Sequence, residues 1–520
     1  MVRLLAIART LARHDCLERI ADLAPMPGAF PLLRRLAGRP DPALAVGRPG
    51  ERLARALESL GPSFIKLGQA LSVRADLVGE DMARDLGALR DRLAPFAGQA
   101  ARAAVAQELG RPVAELYASF DDQAIAAASI AQVHFATLAP SATEVSDLPE
   151  PRPVAVKILR PGVEAAFQRD LALFFWLARL VERFQPAARR LRPVEVVETV
   201  RDSVAIEMDL RLEAAAASEL AETFAADPGY RVPAVIWDRT ARRVLTLDRV
   251  AGIPIDDLEA LDQAGHDRPA LARALIQVFL NQALRDGFFH ADMHHGNLFV
   301  APDGALVAVD FGIMGRLDRA TRLFMAELLY AFVQGDYRRA AEVHFAAGYV
   351  PATKSVEAFA QACRAIGEPI LGRPVSEISI GRLLAQLFQV TATFDMRTQP
   401  QLLLLQKTMV TVEGVARDLD PEINFWQAAE PVLAGWIGEN LSPEARLRDA
   451  ADAARGLVRQ LPHLVDRAER AARILGDDAV RRDATARSRW LEAAATGGGN
   501  PWRLAFGAVV AILVLVLLIG

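Results

Sequence analysis

The sequence predicts an α+β fold of two lobes, a small β-rich N-lobe and a helical C-lobe, between a helical N-terminal extension and a C-terminal transmembrane helix. Three observations predict it: strand-like apolar runs gather in the second quarter of the chain, helical periodicity dominates elsewhere, and the last 17 residues are apolar or glycine. The length of 520 residues allows about three domains. The predicted boundaries are 1–120 for the extension, 121–250 for the N-lobe, 251–430 for the C-lobe, 431–495 for a helical tail and 501–520 for the membrane anchor.

Composition excludes several classes of protein. Hydrophobic residues make up 52% of the chain, which is enough for a large core. The formal net charge is only −4, so no global field indicates a nucleic-acid partner. Cys16 and Cys363 lie far apart without metal-ligand spacing, which argues against a disulfide scaffold and favours a reducing compartment. No signal peptide is predicted, because Arg3, Arg9 and Arg13 interrupt any apolar segment.

The N-terminal extension carries two helical patterns. Residues 1–37 predict a basic, loosely amphipathic helix that either lies on a membrane surface or packs on the body of the protein. Residues 61–77 carry Lys66 and Gln69 three positions apart, so the two side chains share one helix face. Gly68 between them would let another backbone approach closely. From the residues alone, this segment is a polar helix face.

A turn that runs into a strand opens the N-lobe. Its residues are Ile125, Ala126, Ala127, Ala128, Ser129, Ile130, Ala131, Gln132 and Val133. The next strand, residues 154–159, contains Val-Ala-Val-Lys, and a kinase lysine at this point holds the nucleotide phosphates. A lone lysine on an apolar strand usually snorkels from an edge, but the position of Lys157 upstream of a catalytic-loop pattern favours the functional interpretation. Kinases have glycines in the preceding loop, and the alanines here should restrict positive φ and alter how closely the loop covers a nucleotide.

A long helical pattern at residues 193–226 offers the acidic partner that a kinase needs for its strand lysine. Glu207 and Glu213 are six residues apart and do not share a helix face, whereas Asp209 and Glu213 do. The sequence leaves both glutamates as candidate partners of Lys157.

The C-lobe carries the most specific pattern. Residues 290–297 read His-Ala-Asp-Met-His-His-Gly-Asn, and Asp-Phe-Gly follows at 310–312 after a predicted strand, turn and strand. In kinase-like phosphoryl transfer, one aspartate orients the acceptor hydroxyl, while an asparagine and a second aspartate hold Mg²⁺. Asp292, Asn297 and Asp310 have the required types and spacing. The predicted hairpin would carry the last two to the same end of paired strands. The pattern therefore predicts a bilobal protein-kinase-like fold.

The C-terminal tail, residues 504–520, predicts a membrane anchor. As a helix it would span about 25 Å, slightly less than a hydrocarbon core of ~30 Å. A buried core helix is the alternative, and the complete absence of charge favours the membrane. Trp490, Trp502, Arg489 and Arg503 flank the tail upstream, where basic residues favour the cytoplasmic side. The main body is therefore predicted to lie in the cytoplasm.

Taken together, these motifs resemble the UbiB family of atypical kinase-like proteins, bacterial relatives of the mitochondrial coenzyme Q kinases. The resemblance covers nearly all of residues 1–430, and its Lys-x-Gly-Gln motif sets the family apart from ordinary kinases. The segments that carry it are 66–69, the Ala-rich 126–129, 130–134, Lys157, 207–209, 213–214, 290–297 and 310–312.

The resemblance implies an ATP-binding, Mg²⁺-dependent protein that supports ubiquinone biosynthesis at the bacterial inner membrane. The partners implied are membrane lipid, prenylated quinone precursors and ubiquinone-biosynthesis proteins. By position, Asp292 is the proton acceptor, Asn297 and Asp310 ligate Mg²⁺, and Lys157 contacts the phosphates under the Ala-rich loop. The Lys-x-Gly-Gln segment is expected to fold across the active site, where Lys66 would occupy space that a protein substrate needs. Regulatory or structural support is implied for Lys66, Gln69, Glu207, Asp209 and Glu213.

Two departures from the family pattern affect neither the expected base nor the expected metal ligands. His295 stands where the family commonly has proline, and Ala216 stands where it often has asparagine. Loop rigidity is the property that these changes could alter.

Three functions are compatible with the sequence: an ATPase or kinase acting on a small or unusual substrate, a catalytically idle nucleotide-binding scaffold, and an ordinary Ser/Thr protein kinase. The Ala-rich loop and Lys66 argue against the ordinary kinase. The joint presence of Asp292, Asn297, Asp310 and Lys157 favours the enzyme over the scaffold. The sequence identifies no phosphoryl acceptor.

Overall fold

The computed structural model describes residues 2–17, 35–72, 78–87, 89, 93–139, 152–184, 192–368, 390, 393–396 and 400–441. The chain divides into two compact units, Met1–Trp436 and Ile437–Gly520. The fold below is that of the first unit, with the final helix ending just beyond it.

Helices form the described part of the N-terminal extension. They are α1 Val2–Arg13, α2 Pro49–Leu60, α3 Pro62–Ser72, α4 Glu80–Gly87, α5 Gly98–Leu109 and α6 Val113–Leu116. The helix expected over residues 1–37 ends at Arg13, and its buried residues Ala8, Leu11 and Ala12 pack with Ala56 of α2. Of the two alternatives for this helix, packing on the body of the protein is the one observed.

Eleven short strands in the described part of the chain form three sheets. They are β1 Tyr117–Phe120, β2 Ala126–Ala127, β3 Ala131–Leu138, β4 Pro153–Leu159, β5 Tyr230–Arg231, β6 Val244–Asp248, β7 Ile253–Pro254, β8 Phe288–His290, β9 Leu298–Val300, β10 Leu306–Ala308 and β11 Met314–Arg316. The N-lobe sheet has the order β1-β3-β4-β6, with β2 paired to β3. Successive side chains of a strand alternate between faces. Val154, Val156 and Ile158 are therefore fully buried in the core, and Lys157 faces the opposite side.

The remaining described helices are α7 Val163–Phe184, α8 Pro193–Glu207, α9 Leu210–Thr223, α10 Leu258–Gln263, α11 Arg268–Leu280, α12 Arg319–Val333, α13 Tyr337–Ala346, α14 Val356–Gly367, α15 Pro400–Leu419 and α16 Phe425–Leu441. The pattern that predicted one helix over residues 193–226 forms two, α8 and α9. The break occurs because Asp209 caps α9, its carboxylate accepting the backbone N–H of Arg211.

The C-lobe sheets confirm the predicted strand, turn and strand after the catalytic-loop pattern. β9 and β10 are antiparallel, with Leu298 opposite Ala308. β8 and β11 form a second antiparallel pair, in which Met314 lies opposite His290. α11 fills the core beneath these strands, with Leu275 and Ile276 fully buried. The two pairs of strands thus hold the catalytic-loop segment and the Asp-Phe-Gly segment side by side.

The structure corrects the prediction of a C-terminal transmembrane helix. No helix in the described part of the chain is long and apolar enough to cross a membrane. The longest described helix, α7, has 22 residues but carries charges such as Asp170 and Arg179, which a bilayer core disfavours. The prediction of a location in the bacterial inner membrane is corrected with it. Residues 501–520, on which both predictions rested, lie outside the described residues.

Candidate active site

A lysine shared by two carboxylates forms the centre of the site. Lys157 on β4 donates a hydrogen bond to Glu213 Oε1 at 2.7 Å and to Asp310 Oδ1 at 2.8 Å. Its side chain is 16% exposed, that of Glu213 is 7% exposed and that of Asp310 is 47% exposed. The structure therefore decides between the two candidate glutamates, because Glu213 pairs with Lys157.

These three charges shift one another's ionisation. Burial raises the pKa of Glu213, with the Asp310 charge adding to it and Lys157 opposing it. Burial also works against the charged forms of Asp310 and Lys157, but their mutual attraction and hydrogen bond outweigh it. The pKa of Asp310 is therefore held below its ordinary value and that of Lys157 above it. When all three are ionised, the cluster carries a net negative charge, so an added cation would be attracted to it.

The backbone at Asp310 is held in an uncommon conformation. Its φ is 62°, in the left-handed region that non-glycine residues rarely adopt. The backbone N–H of Gly312 points to Asp310 Oδ1 at 3.4 Å. Such strained positions concentrate at functional sites, where surrounding structure fixes them. At this position the carboxylate of Asp310 accepts the hydrogen bond from Lys157.

His290 fixes the backbone of the catalytic loop. It is fully buried, and its Nδ1 accepts the backbone N–H of Asp292 at 3.1 Å. The proton therefore lies on Nε2, which donates to the carbonyl oxygen of Val309 at 3.2 Å. Burial lowers the pKa of His290, which keeps the ring neutral as this arrangement requires. The ring thus connects the loop of Asp292 to the strand that leads into Asp310.

Asn297 lies at the junction of the same two segments. Its Nδ2 donates to the carbonyl oxygen of Asp292 at 3.0 Å, and its own carbonyl accepts the N–H of Val309 at 2.9 Å. The first bond fixes the side-chain amide of Asn297 to the loop backbone through its nitrogen. The predicted metal ligands Asn297 and Asp310 are thus brought to adjacent strand ends.

The donor set of this site fits Mg²⁺. Within the described residues, no group of three or more His, Cys, Asp or Glu side chains is arranged to hold a metal ion. Mg²⁺ does not need such a cage, because it is usually bound through one or two carboxylates, waters and substrate phosphates. The carboxylate of Asp310 and the amide of Asn297 are oxygen ligands of that kind.

Two basic side chains flank Asp292, whose own side chain is 29% exposed. His294 Nε2 lies 3.7 Å from Asp292 Oδ2, and Lys407 Nζ of α15 lies 3.8 Å from Asp292 Oδ1. His295 instead contacts Asp418 of α15 at 2.8 Å. Lys407 is a neighbour of the site that the motif analysis missed, since it lies far along the chain and belongs to no recognised pattern.

The Ala-rich loop is a tight hairpin. β2 pairs with β3, with Ala127 opposite Gln132, and the N–H of Ala128 donates to Ala131 O at 2.8 Å. The guanidinium of Arg160 holds the turn by donating to Ala128 O from Nε at 3.1 Å and from Nη2 at 2.9 Å. Ser129 is fully buried, and its Oγ has no hydrogen-bond partner among the residues that the structure describes. A hydroxyl left unpaired at this turn fits a loop that faces a polar ligand.

The remaining predicted loop residues lie on both sides of this turn. Ile125 is 56% exposed, whereas Ile130 and Ala131 are buried in a core cluster against which Leu67 and Ala70 of α3 pack. Gln132 exchanges two hydrogen bonds with the backbone of Phe96. Val133 pairs with Lys157 across β3 and β4. The N-terminal extension is therefore in direct contact with the hairpin.

The Lys-x-Gly-Gln motif lies on α3 and reaches the helix before α9. Lys66 Nζ is 2.5 Å from Glu207 Oε2, and the two side chains are 10% and 12% exposed. A side chain at Gly68 would collide with Leu89 and Leu57, so glycine permits this packing. Gln69 is half-buried, and its carbonyl accepts the hydroxyl of Ser72 at 2.7 Å. Each of the two candidate glutamates thus has its own lysine.

Comparison with known proteins identifies relatives over most of the chain. The ABC1 atypical kinase-like domain matches residues 88–344, and the UbiB helical domain matches residues 363–424. A protein named "Probable protein kinase UbiB" in Xanthomonas axonopodis pv. citri is 43% identical over 474 residues, covering 90% of this chain and 83% of that protein. One of the same name in Marinobacter nauticus is 40% identical over 469 residues, covering 89% and 83%. Among solved structures, the complex of Rv3197 with erythromycin from Mycobacterium tuberculosis is similar, with a TM-score of 0.48, 24% identity, and coverage of 70% of this chain and 90% of that one.

Proposed function

This chain belongs to the UbiB family of ABC1 atypical kinase-like proteins, and on that premise we propose that it is an ATP-binding, Mg²⁺-dependent phosphotransferase. The reaction is either transfer to a small or unusual acceptor or hydrolysis of ATP. In the cell it supports ubiquinone biosynthesis, with prenylated quinone precursors and other proteins of that process as its partners.

The lysine shared between Glu213 and Asp310 carries this proposal. Phosphoryl transfer needs a lysine on the phosphates, held by a helix-borne glutamate, beside an aspartate that binds the metal. Lys157 contacts both carboxylates within 2.8 Å, and its charge is maintained by them. A structural ion pair would need only one partner, so the second carboxylate favours a site for a cation and a phosphate.

Each residue of the site then has a distinct task. Lys157 binds the phosphates, Asn297 and Asp310 hold Mg²⁺, and Asp292 accepts the proton of the acceptor hydroxyl. Mg²⁺, when bound, neutralises charge that develops on the phosphates. The buried neutral ring of His290 holds Asp292 and Asp310 in a fixed relative position, because it is hydrogen-bonded to the backbone of Asp292 and of Val309.

The N-terminal extension favours an atypical acceptor over a protein substrate. α3 packs against the cluster that contains Ile130 of the Ala-rich loop, and Lys66 is paired with Glu207. We assign α3 the role of covering the active-site cleft between the two lobes on the side where a peptide would enter. This is the feature that separates the proposal from an ordinary Ser/Thr protein kinase.

Nucleotide turnover by the purified protein tests the proposal. The assay measures ATP hydrolysis and radiolabel transfer with and without Mg²⁺, a prenylated phenol and an anionic lipid. Asp292→Asn should leave Mg·ATP binding intact and slow turnover about 10²- to 10⁴-fold, since a general base contributes that much. Asp303→Asn is the matched control, because Asp303 pairs with Arg231 on the turn after β9, outside the site.

Two results would contradict the proposed phosphotransferase activity. Wild-type protein that binds Mg·ATP without any turnover, with Asp292→Asn indistinguishable from it, would establish the idle scaffold instead. Wild-type protein that binds no nucleotide would overturn the assignment of the site altogether.

A further inference from the structure

Lysine is rare in this chain, and three of the four lysines contact acidic residues of the motifs. The sequence contains 56 arginines and four lysines. Lys66 pairs with Glu207, Lys157 with Glu213 and Asp310, and Lys407 with Asp292. The fourth, Lys354, pairs with Asp395 at 2.6 Å. Three of the four ammonium groups thus lie on acidic residues of the motifs, although arginine supplies the positive charge almost everywhere else.

The two cations are not interchangeable at a phosphate. Arginine presents a planar fork suited to fixed, bidentate contacts, whereas lysine presents a compact point charge on a flexible stem. A compact charge can follow a group that moves between donor and acceptor. The use of lysine at position 407 in an arginine-rich chain therefore indicates a position where a small, mobile cation is required.

Contacts between α15 and the catalytic loop hold Lys407 in place. Thr408 is fully buried, and its hydroxyl donates to the carbonyl oxygen of Ala291 at 3.1 Å. Further along the helix, Asp418 contacts His295 at 2.8 Å. The backbone of Lys407 is thereby fixed next to Asp292, and movement of its amino group comes from its own side chain.

The ion pair of Lys407 with Asp292 is loose. It lies 3.8 Å from Asp292 Oδ1, beyond hydrogen-bond distance, and the side chain is 52% exposed. Lys157 is the contrast within the same site, with contacts of 2.7 and 2.8 Å and 16% exposure. Lys407 can therefore turn from Asp292 to a nearby anion without breaking a hydrogen bond.

We propose that Lys407 contacts the transferred phosphoryl group and is a further catalytic residue of this site, an inference that rests on the proposed function. The acceptor oxygen bonds to the γ-phosphorus, the bond to the β,γ-bridging oxygen breaks with its electron pair leaving on ADP, and the acceptor proton passes to Asp292. The acceptor oxygen must lie about 3 Å from the base and about 3 Å from the phosphorus, so the phosphoryl group lies within about 6 Å of Asp292. The amino group of Lys407, already beside Asp292, is therefore placed to stabilise the negative charge on the oxygens of the phosphoryl group.

The affinities for ATP and ADP, with Mg²⁺ present, test this role without depending on turnover. Because ADP lacks the γ-phosphate, Lys407→Gln should weaken ATP binding about tenfold and leave ADP binding within about twofold, as measured by titration calorimetry. Turnover should fall by at least the same factor. Lys407→Arg keeps the charge and should recover part of both losses. Arg338→Gln is the charge-matched control, because Arg338 is 72% exposed on α13 and pairs only with surface glutamates among its described contacts.

The outcomes separate this inference from the proposed function. If Lys407→Gln has wild-type affinities and wild-type turnover, the proposed role of Lys407 is wrong. The proposed phosphotransferase activity is not contradicted by that result. Equal loss of ATP and ADP affinity, without recovery in Lys407→Arg, would mean that Lys407 only supports the fold, and would also overturn its proposed role. Wild-type protein that binds neither nucleotide would instead refute the proposed function.

Discussion

Two lysine–glutamate pairs of low exposure involve consecutive helices of this protein, and one of them is joined by the carboxylate of Asp310. Lys66 meets Glu207 at the end of α8, and Lys157 meets Glu213 in the first turn of α9. The separations are 2.5 and 2.7 Å, and all four side chains are at most 16% exposed. Among the described contacts, the second pair includes a further carboxylate, that of Asp310 at 2.8 Å from Lys157.

That additional carboxylate gives the two pairs different chemical properties. Lys66 and Glu207 carry opposite charges, and their ion pair fastens α3 to α8. The cluster of Lys157 has an excess of negative charge when ionised, which favours a bound cation. We therefore interpret the Lys66–Glu207 pair as the contact that keeps α3 over the active site, and call it the closure. The cluster of Lys157, Glu213 and Asp310 is interpreted as the ligand site.

Removing the carboxylate that distinguishes the pairs should have the largest effect. Asp310→Asn is expected to lower the affinity for Mg·ATP and the turnover at least a hundredfold, because the charge that ligates the metal is lost. Calorimetry with and without Mg²⁺ measures it, and Asp303→Asn on the turn after β9 is the control. Unchanged binding and turnover in Asp310→Asn would refute the ligand site.

Opening the Lys66–Glu207 pair should act in the opposite direction. Lys66→Ala is expected to raise ATP turnover or autophosphorylation at least tenfold, which corresponds to about 1.4 kcal/mol in a barrier. The reason is that α3 is released from α8 and the cleft becomes accessible. Radiolabel transfer from ATP measures the change. Wild-type protein that already phosphorylates generic peptides, with Lys66→Ala no different, would place this chain with ordinary kinases.

Replacing Glu207, the partner of Lys66, should also raise turnover, but by less. Glu207→Gln leaves a neutral partner for Lys66, so turnover should rise about threefold rather than tenfold. Combined with Lys66→Ala, it should add little, since both changes remove one interaction. Fully additive effects would show that the two residues act separately. Thermal unfolding of each variant distinguishes opening of the closure from loss of the fold.

The smallest effect is expected in the Ala-rich loop. Neither Ala127 nor Ala128 has a positive φ, so glycine is not required by the present hairpin. Ala127→Gly or Ala128→Gly should relax the turn that Arg160 holds and strengthen nucleotide binding about twofold. Nucleotide titration of the two variants measures it. Weaker binding in both variants would mean that the alanines order the loop for its ligand.

Local features of the fold could be predicted from the sequence. The strand of Lys157 follows from its alternation of valine and isoleucine, and the β9–β10 hairpin follows from its Pro-Asp-Gly turn between apolar runs. The family prediction is also confirmed. These features depend on residues close together in the chain, which is why one sequence is sufficient for them.

Features that depend on distant contacts could not be predicted. The choice of Glu213 over Glu207 rests on the break that Asp209 makes in an apparently continuous helix. The position of Lys407 rests on α15 packing against a loop more than a hundred residues earlier. The membrane anchor was predicted from an uncharged apolar run and its flanking tryptophans and arginines, and such a local pattern does not specify what the segment contacts.

The most direct test of the division into a ligand site and a closure compares Lys157→Met and Lys66→Met in one nucleotide-binding experiment. Both variants remove one buried ammonium group and keep the length of the side chain. If the two pairs have the opposite tasks assigned to them, Lys157→Met should weaken Mg·ATP binding at least tenfold, and Lys66→Met should leave it unchanged or strengthen it. Loss of Mg·ATP affinity to the same extent in both variants, with both still folded, would contradict the division into a ligand site and a closure.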